Sequence, residues 1–224
     1  MVNPRAGLIR NPALFICDIQ EKFREAIYEC PKLISTCEKL LKATSHLPMP
    51  IYVTTQNRAR LGNTVSEIHK YLYNPETNAA SPNLRADVDK TLFSMVTPEI
   101  KALLPSVSSE AQAAATAAGN ENEPLDVLLV GMESHICIMQ TTLDLLSLGH
   151  RVYIIADGVS SCNAGERPIA LARCRDAGAV VTTSEGVLFE IVRDAKREGF
   201  KGVSGVVKET KEETKGAVGT FCKI

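Results

Sequence analysis

The chain has no excess of charge of either sign, and this absence limits its possible partners. Its 25 Lys and Arg residues nearly balance its 26 Asp and Glu residues, so the formal net charge is −1. Such a balance provides no electrostatic basis for binding nucleic acid or an anionic membrane surface. We therefore predict neither a nucleic-acid partner nor a membrane partner.

Long apolar runs are missing as well. No stretch of the sequence approaches the roughly 20 apolar residues that are needed to cross a bilayer. Residues 1–17 include Arg5 and Arg10 but no acidic residue, a composition also found in weak mitochondrial presequences. A short surface arm before the first strand explains them more simply. We predict a cytoplasmic protein, with a mitochondrial location as the alternative.

The seven cysteines lack CxxC pairs and any other spacing typical of metal ligands. Cys17, Cys37 and Cys174 fall inside apolar stretches, so we expect them to be buried free thiols. A reducing compartment is the simplest setting for such thiols. The sequence therefore predicts neither a metal nor a cofactor.

The length of 224 residues suits one sizeable α/β domain and is short for two. Residues 106–124 are low in complexity and contain one large apolar residue, Val107, so they predict a mobile surface insertion in this 1–224 domain. The charged, glycine-containing segment 197–224 is interpreted as a C-terminal tail of undetermined structure.

Short apolar, β-branched runs alternate with helical patterns along the chain. The predicted strands are residues 13–17, 51–55, 88–90, 127–130, 151–156 and 179–183. Helices are predicted from Pro31, over 65–71, from Pro98, from 136 to 148, over 164–177 and over 184–193. This alternation predicts a three-layer α/β/α fold with a six-stranded parallel sheet, in the order 3-2-1-4-5-6.

The segment after the fourth strand contains a candidate nucleophile. The apolar run Val127–Val130 is broken by Gly131, and Ser134 is predicted to cap the next helix, which places Cys137 at the third helical position. Unpaired backbone amides and the helix dipole favour the thiolate form there. The alternative, a buried packing cysteine, is the commoner role for a free thiol.

Two further groups are predicted to lie beside this thiol. Asp18 and Lys90 stand at the carboxyl ends of the first and third strands, and ligands bind at that edge of a parallel sheet where strand order reverses. Asp18 could accept the proton of Cys137, and Lys90 could stabilise both anions. Individually, Asp18 also fits a turn residue and Lys90 a surface lysine.

Three segments, FICDIQEKFR, VDKTLFSM and LLVGMESHICIMQTTLDLL, resemble the isochorismatase-like cysteine hydrolase superfamily, in particular its branch of isochorismatase domain-containing proteins. The resemblance extends from about Ala13 to Phe189. It implies a Rossmann-like fold and a catalytic triad of Asp18, Lys90 and Cys137. It also implies a cis peptide before the nucleophile, which by position joins Met132 and Glu133.

The resemblance further implies an oxyanion hole formed by the backbone N–H groups of Glu133 and Cys137. The implied reaction is hydrolysis of a C–N bond in a small metabolite through a thioester on Cys137, without a cofactor, by a protein that forms homo-oligomers. Isochorismatases proper cleave a vinyl ether and lack this cysteine, so Cys137 disfavours isochorismate as the substrate.

One departure from the family concerns metal. Nicotinamidases of the superfamily carry an Asp-x-His motif and a further His that bind a metal beside the substrate. The corresponding segment after the second strand reads TTQNRARLGN and contains no histidine. We therefore predict no metal site of this kind.

Candidate pocket residues follow the strand ends. They are Gln20, Phe23, Gln56 and Phe93, each of which fits ordinary packing nearly as well, and His135, which is close to Cys137 in sequence but points in another direction on a helix. Two other functions stay open: a non-catalytic binding or scaffolding protein with a vestigial triad, and a nucleic-acid-processing protein.

Overall fold

The computed structural model describes residues 7–107 and 123–223. Most of the predicted insertion at 106–124 and the start of the predicted N-terminal arm therefore lie outside the described residues. Among the helices of the described ranges, none is both long enough and apolar enough to span a bilayer.

Six parallel strands form one sheet in the described part of the chain, in the order β3-β2-β1-β4-β5-β6. The strands are β1 Pro12–Cys17, β2 Ile51–Gln56, β3 Leu84–Lys90, β4 Asp126–Met132, β5 Arg151–Ser160 and β6 Val180–Thr182. Both the α/β fold and the strand order are confirmed.

The helices fill the connections between the strands and the C-terminal end. They are α1 Cys30–Ala43, α2 Arg58–Leu61, α3 Ser66–Leu72, α4 Pro98–Leu103, α5 Met139–Ser147, α6 Glu166–Ala177, α7 Ser184–Val192, α8 Phe200–Glu209 and α9 Lys211–Phe221. A 3₁₀ turn at Glu21–Phe23 and a π-helical turn at Ser134–Ile138 complete this set.

The central strands β1 and β4 are buried on both faces, as their uninterrupted apolar sequences predict. Alternation along β1 sends Leu14 and Ile16 into the core that includes α1, and Phe15 and Cys17 into the core on the opposite face. Cys137 belongs to the second core. The pleat of β1 thus directs the Cys17 side chain towards the face that carries the candidate nucleophile.

Two strands are each four residues longer than predicted. β3 begins at Leu84 rather than Val88, because its polar residues are tolerated at a half-exposed sheet edge. β5 is predicted to end at Ala156, but it continues through Asp157 and Gly158 to Ser160. Asp157 is a buried acceptor for the amide and hydroxyl of Ser184, so its charge does not require a loop.

Two predicted helix caps are wrong. Ser184 is the first residue of α7, and Thr183 caps this helix by accepting a hydrogen bond from the Gly186 amide at 3.2 Å. Ser134 lies inside the π-helical turn, and its buried Oγ has no hydrogen-bond partner among the described residues. Cys137 is consequently the fourth residue of that turn rather than the third of an α-helix.

The C-terminal segment is ordered into α8 and α9, for which the sequence had suggested only a tail. Val203 of α8 and Ala217 and Phe221 of α9 are buried in the core that includes α1. Lys39 of α1 is buried and donates to Thr214 Oγ1 at 2.9 Å. These helices therefore pack against α1, and α9 also packs against β5.

Candidate active site

The Asp18 carboxylate lies directly after β1, is buried to 1% exposure and accepts hydrogen bonds from side chains of β2 and β3. Thr54 Oγ1 donates to its Oδ1 at 2.7 Å, and Lys90 Nζ donates to its Oδ2 at 2.7 Å. The backbone φ of Asp18 is +54°, a left-handed conformation that Asp adopts more readily than most residues. This turn interrupts the strand alternation and places the carboxylate on the same side as the Cys17 thiol.

The Lys90 ammonium, at the end of β3, is surrounded by oxygen atoms. Besides Asp18, it donates to Gln56 Oε1 at 2.8 Å and to the carbonyls of Leu92 and Phe93, each at 3.1 Å. Burial by itself lowers the pKa of Lys90, but the neighbouring Cys17 and Asp18 raise it by more, so the net direction is upward. Lys90 is therefore a fixed cation at neutral pH.

Cys137 reaches this pair from the turn after β4. The Met132–Glu133 peptide bond is cis, and the Glu133 carbonyl accepts hydrogen bonds from the amides of Ile136 and Ile138, on either side of Cys137. Cys137 keeps 7% exposure. Its Sγ, the Cys17 Sγ and an Asp18 carboxylate oxygen all lie within 4.8 Å of one another.

Gly131 allows this close approach of β4 to β1. Its φ is +125°, and a Cβ built there would lie 2.1 Å from the Cys17 carbonyl oxygen. Only glycine fits that combination of conformation and contact. The sequence position that looked like a simple strand break is thus the point at which the two central strands bring their site residues together.

Cys17 is a site residue that the sequence reasoning placed only in the core. Its Sγ donates to Asp18 Oδ2 at 3.5 Å. Burial raises the pKa of Cys17 well above its usual value, and its hydrogen bond with Cys137 and the charge of Asp18 add to this effect against that of Lys90. The sequence offered one indication of this role: Cys17 immediately precedes Asp18. In the structure it lies on the face of the sheet that also carries Cys137.

Gln20 and Gln56, both predicted pocket residues, have their amides engaged in the protein. Gln20 is fully buried; its Nε2 donates to the carbonyls of Gln56 and Gly62, and its Oε1 accepts from the Gln56 amide. Gln56 holds Lys90 through Oε1 and donates from Nε2 to the Thr91 carbonyl at 3.0 Å. Gln20 therefore joins the end of β2 to the backbone at Gly62, and Gln56 holds the Lys90 ammonium in place.

The two predicted pocket aromatics lie in different environments. Phe23 is half-buried and packs against the core that includes α1. Phe93 is 51% exposed, and the adjacent Leu92 is 52% exposed, while both carbonyls bind Lys90. The segment after β3 therefore combines a buried cation with an exposed apolar pair.

His135 is tied to the loop after β5 rather than to Cys137. Its Nδ1 is 3.0 Å from Ser161 Oγ, which also accepts from the Ser134 amide at 3.0 Å. The Glu133 carboxylate accepts from the Cys162 amide at 3.1 Å. Through these bonds, the loop after β5 at Ser161 and Cys162 holds the turn that carries Cys137 in position.

One group of metal-type donors is present among the described residues, formed by Cys17, Asp18 and Cys137. The Asp18 oxygen that faces Cys17 already accepts from the Lys90 ammonium, which supplies a positive charge to this cluster. After β2, Arg58 of α2 forms an ion pair with Asp87 at 2.7 Å. The nicotinamidase-type donor set, which needs two histidines, does not fit this segment.

Comparisons with known proteins place the chain in a family. The family model for the isochorismatase domain matches residues 12–186. The secreted isochorismatase effector Isc1 of Phytophthora sojae is 37% identical over 196 residues, covering 88% of this chain and 84% of that protein. Isochorismatase domain-containing protein 2 of Xenopus laevis is 37% identical over 200 residues, covering 89% and 85%.

A solved structure is similar over the same extent. The MAR1 ribonuclease of Caenorhabditis elegans superposes with a TM-score of 0.74 at 33% sequence identity, covering 88% of this chain and 90% of that one. The likeness therefore extends over most of both chains.

Proposed function

Because the chain belongs to the isochorismatase family, we propose that it is a cysteine hydrolase that cleaves a C–N bond of a small amide through Cys137. The observation that carries this proposal is the position of the Asp18 carboxylate. Its Oδ2 is bonded to Lys90 at 2.7 Å, and a carboxylate oxygen lies within 4.8 Å of the Cys137 sulfur.

The first step is activation of the nucleophile. Asp18 accepts the Cys137 proton, and the thiolate attacks the carbonyl carbon of the substrate. Lys90 remains protonated and balances the negative charge that moves from the carboxylate to the sulfur. Thr54 and Lys90 hold the carboxylate from two sides, so the base keeps one orientation.

The second step is collapse of the tetrahedral intermediate. The backbone N–H groups of Glu133 and Cys137 are the proposed donors to the oxyanion, since both belong to the turn that presents the sulfur. Asp18 returns its proton to the leaving amine, which departs and leaves a thioester. Asp18 then deprotonates a water that hydrolyses the thioester and frees Cys137.

Substrate contacts are proposed for the rim of the site. Phe93 and Leu92 offer exposed apolar surface next to Lys90, which suits an amide with an apolar substituent. Gln56 is proposed to act indirectly, by positioning Lys90, and Gln20 by holding the end of β2. Phe23 and His135 are engaged elsewhere and are proposed to act on the shape of the rim rather than on the reacting atoms.

The test is a screen of small primary amides and N-carbamoyl compounds for ammonia release, with intact-protein mass measured after rapid acid quench. We expect one substrate class to release ammonia and to add its acyl mass to Cys137. The Cys137→Ala variant should release none, whereas Cys222→Ser, which changes a half-buried thiol packed against the core that includes α1, should keep full activity. Ammonia release by Cys137→Ala would contradict the proposed nucleophile.

A second candidate, RNA cleavage, is favoured by one observation, the 33% identity to a protein named as a ribonuclease. The net charge of −1 and the absence of a basic cluster weaken it, because phosphate contacts dominate RNA affinity. RNA cleavage through a ribose 2′-hydroxyl would not require Cys137. Nuclease activity that survives in Cys137→Ala and falls steeply with salt would support this candidate over the amidase.

The location, the oligomeric state and the partners of the protein are proposed as well. We propose a cytoplasmic homo-oligomer that has neither a nucleic-acid partner nor a metal. Light scattering of the purified chain at several concentrations would test the oligomeric state.

A further inference from the structure

The site contains a second sulfur that the proposed reaction does not use. Cys17 is 0% exposed, yet its Sγ lies within 4.8 Å of the Cys137 Sγ and donates to the Asp18 carboxylate. A purely packing role would be served by an apolar side chain of similar size. Two thiols that share one carboxylate are instead arranged for chemistry with each other.

We propose that Cys137 and Cys17 form a reversible disulfide when Cys137 is oxidised by a peroxide. The disulfide blocks the nucleophile and protects it from irreversible oxidation. This inference rests on the positions of the two sulfurs and one carboxylate, and it is independent of which substrate the enzyme cleaves.

The chemistry balances in two steps. The Cys137 thiolate attacks one oxygen of hydrogen peroxide, which gives a sulfenic acid on Cys137 and releases hydroxide; the sulfur loses two electrons to the peroxide. The Cys17 sulfur then attacks the sulfenic sulfur and displaces its hydroxyl group. Asp18 accepts the Cys17 proton and passes it to the departing hydroxide, so that water leaves and an S–S bond remains.

The two thiols differ in exposure and in pKa, as these two reaction steps require. Cys137 keeps 7% exposure and is the one that a peroxide can reach, whereas Cys17 is sealed beneath it. Burial and the contacts with Cys137 and Asp18 raise the pKa of Cys17, which keeps it protonated until an electrophilic sulfur forms beside it. Cys17 therefore acts as the resolving thiol.

Closing the bond requires movement of the turn that carries Cys137. The sulfurs must approach from their present separation to about 2 Å, the length of a disulfide. Cys137 lies in a π-helical turn, a wider backbone arrangement than an α-helix and one that is frequent at functional sites. β1, which carries Cys17, is fixed at the centre of the sheet.

The test exposes the full-length reduced protein to a molar excess of hydrogen peroxide, blocks free thiols with N-ethylmaleimide and maps the peptides by mass. We expect a Cys17–Cys137 linked peptide, which disappears when dithiothreitol is added before blocking. In Cys17→Ser, Cys137 should instead accumulate as sulfinic acid, about tenfold more than in the unchanged protein at equal peroxide. Cys222→Ser, which changes a half-buried thiol packed against the core that includes α1, should behave as the unchanged protein.

Three results would overturn the proposal: Cys137 linked to Cys162, Cys137 oxidised to sulfinic acid equally with and without Cys17, or no oxidation of Cys137 at all. Cys17→Ala serves as a second variant if Cys17→Ser is poorly folded, with near-UV circular dichroism as the check. Because the measurement is a peptide mass and not an activity, a Cys17–Cys137 linked peptide would support the disulfide even if no amide substrate were found.

Discussion

At the scale of single residues, the site is dominated by one buried ion pair. The side chains of Asp18 and Lys90 are each 1% exposed, and their atoms meet at 2.7 Å. Buried ion pairs contribute little net stability over an apolar pair, but loss of one partner leaves an uncompensated charge. The pair is therefore better explained by chemistry at Cys137 than by stability.

The first prediction concerns the reactivity of two thiols at pH 7. We expect iodoacetamide to modify Cys137 faster than Cys162, although Cys162 is the more exposed, because Asp18 can accept the Cys137 proton during the attack and Lys90 can balance the charge that develops on the sulfur. The hydrogen bond with Glu133 raises the pKa of Cys162 and so keeps it protonated. Peptide mass mapping over time measures both rates, with the urea-unfolded protein as the control. Faster modification of Cys162 would favour a vestigial site.

The second prediction concerns Lys90 and pH. Lys90→Met should lower the free energy of unfolding by about 3–5 kcal/mol at pH 7, because Asp18 loses its cation. The pKa of Lys90 is raised above its ordinary value of 10.5 in the folded state, so this contribution is complete below pH 10.5 and is lost as the pH rises through the folded pKa.

Urea unfolding of Lys90→Met and of the unchanged protein at several pH values checks this. The difference between them should be constant from about pH 7 to 9 and should shrink above pH 10.5. Lys70→Met is the matched control, since Lys70 forms an exposed pair with Glu38, and it should change stability by less than about 1 kcal/mol. A difference that grows with pH would contradict the assignment.

At the scale of elements, the site depends on how β4 ends. Gly131 lets β4 run so close to β1 that a Cβ built there would lie 2.1 Å from the Cys17 carbonyl oxygen. The turn that follows is bonded to the loop after β5. The strand end and this loop therefore determine the position of Cys137 more than any helix cap does.

The third prediction compares two glycines. Gly131→Ala should destabilise the protein by more than about 3 kcal/mol or prevent folding, because a positive φ and a backbone clash coincide there. Gly165→Ala is the control; its φ is −66°, and a Cβ there meets no atom within 4 Å, so stability should be unchanged or slightly higher. Thermal unfolding of both variants measures the effect, and equal melting temperatures would refute the packing described for Gly131.

The fourth prediction concerns the loop after β5. Ser161→Ala removes the acceptor of the Ser134 amide and the partner of His135, so we expect stability to fall by about 1 kcal/mol and hydrolase activity to fall about tenfold. Ser147→Ala removes a hydroxyl that bonds only the Asp144 carbonyl on the surface and should change neither. Unchanged activity in Ser161→Ala would show that this loop does not position Cys137.

At the scale of the whole molecule, the C-terminal helices extend beyond the region that the isochorismatase model matches, residues 12–186. They bury Val203 and Phe221 against the core of α1, and the Phe221 carbonyl accepts a hydrogen bond from the buried Arg167 guanidinium. The apolar contacts lie in the core on the face of the sheet away from Cys137. The helices are therefore structural parts of this chain rather than parts of the site.

The fifth prediction is that deletion of residues 200–224 destabilises the whole molecule. Each buried apolar side chain contributes about 1.5–3 kcal/mol, and Arg167 and Lys39 would also lose hydrogen-bond partners. We expect an insoluble chain or a melting temperature lower by at least about 10 °C. Deletion of residues 222–224 alone is the control and should have little effect. An unchanged melting temperature after the longer deletion would contradict this role.

The sequence by itself determined the sheet and the edge at which the candidate site lies. Apolar runs of strand length alternating with helical patterns left one common topology, and the carboxyl ends of its strands carry Asp18, Lys90 and Cys137. These inferences succeeded because periodicity and strand ends are local properties of the chain. The C-terminal helices were missed because the glycines and charges of residues 197–224 weaken any local helical signal.

Only the tertiary structure decided what surrounds those three residues. It engaged Gln20 and His135 in bonds within the protein, placed Ser134 inside a π-helical turn, and brought the Cys17 thiol beside Cys137. Each outcome depends on atoms far apart in sequence, such as the Cys17 carbonyl against Gly131 or Ser161 against Ser134. Contacts of that kind are set by packing between elements, which no local pattern in the chain records.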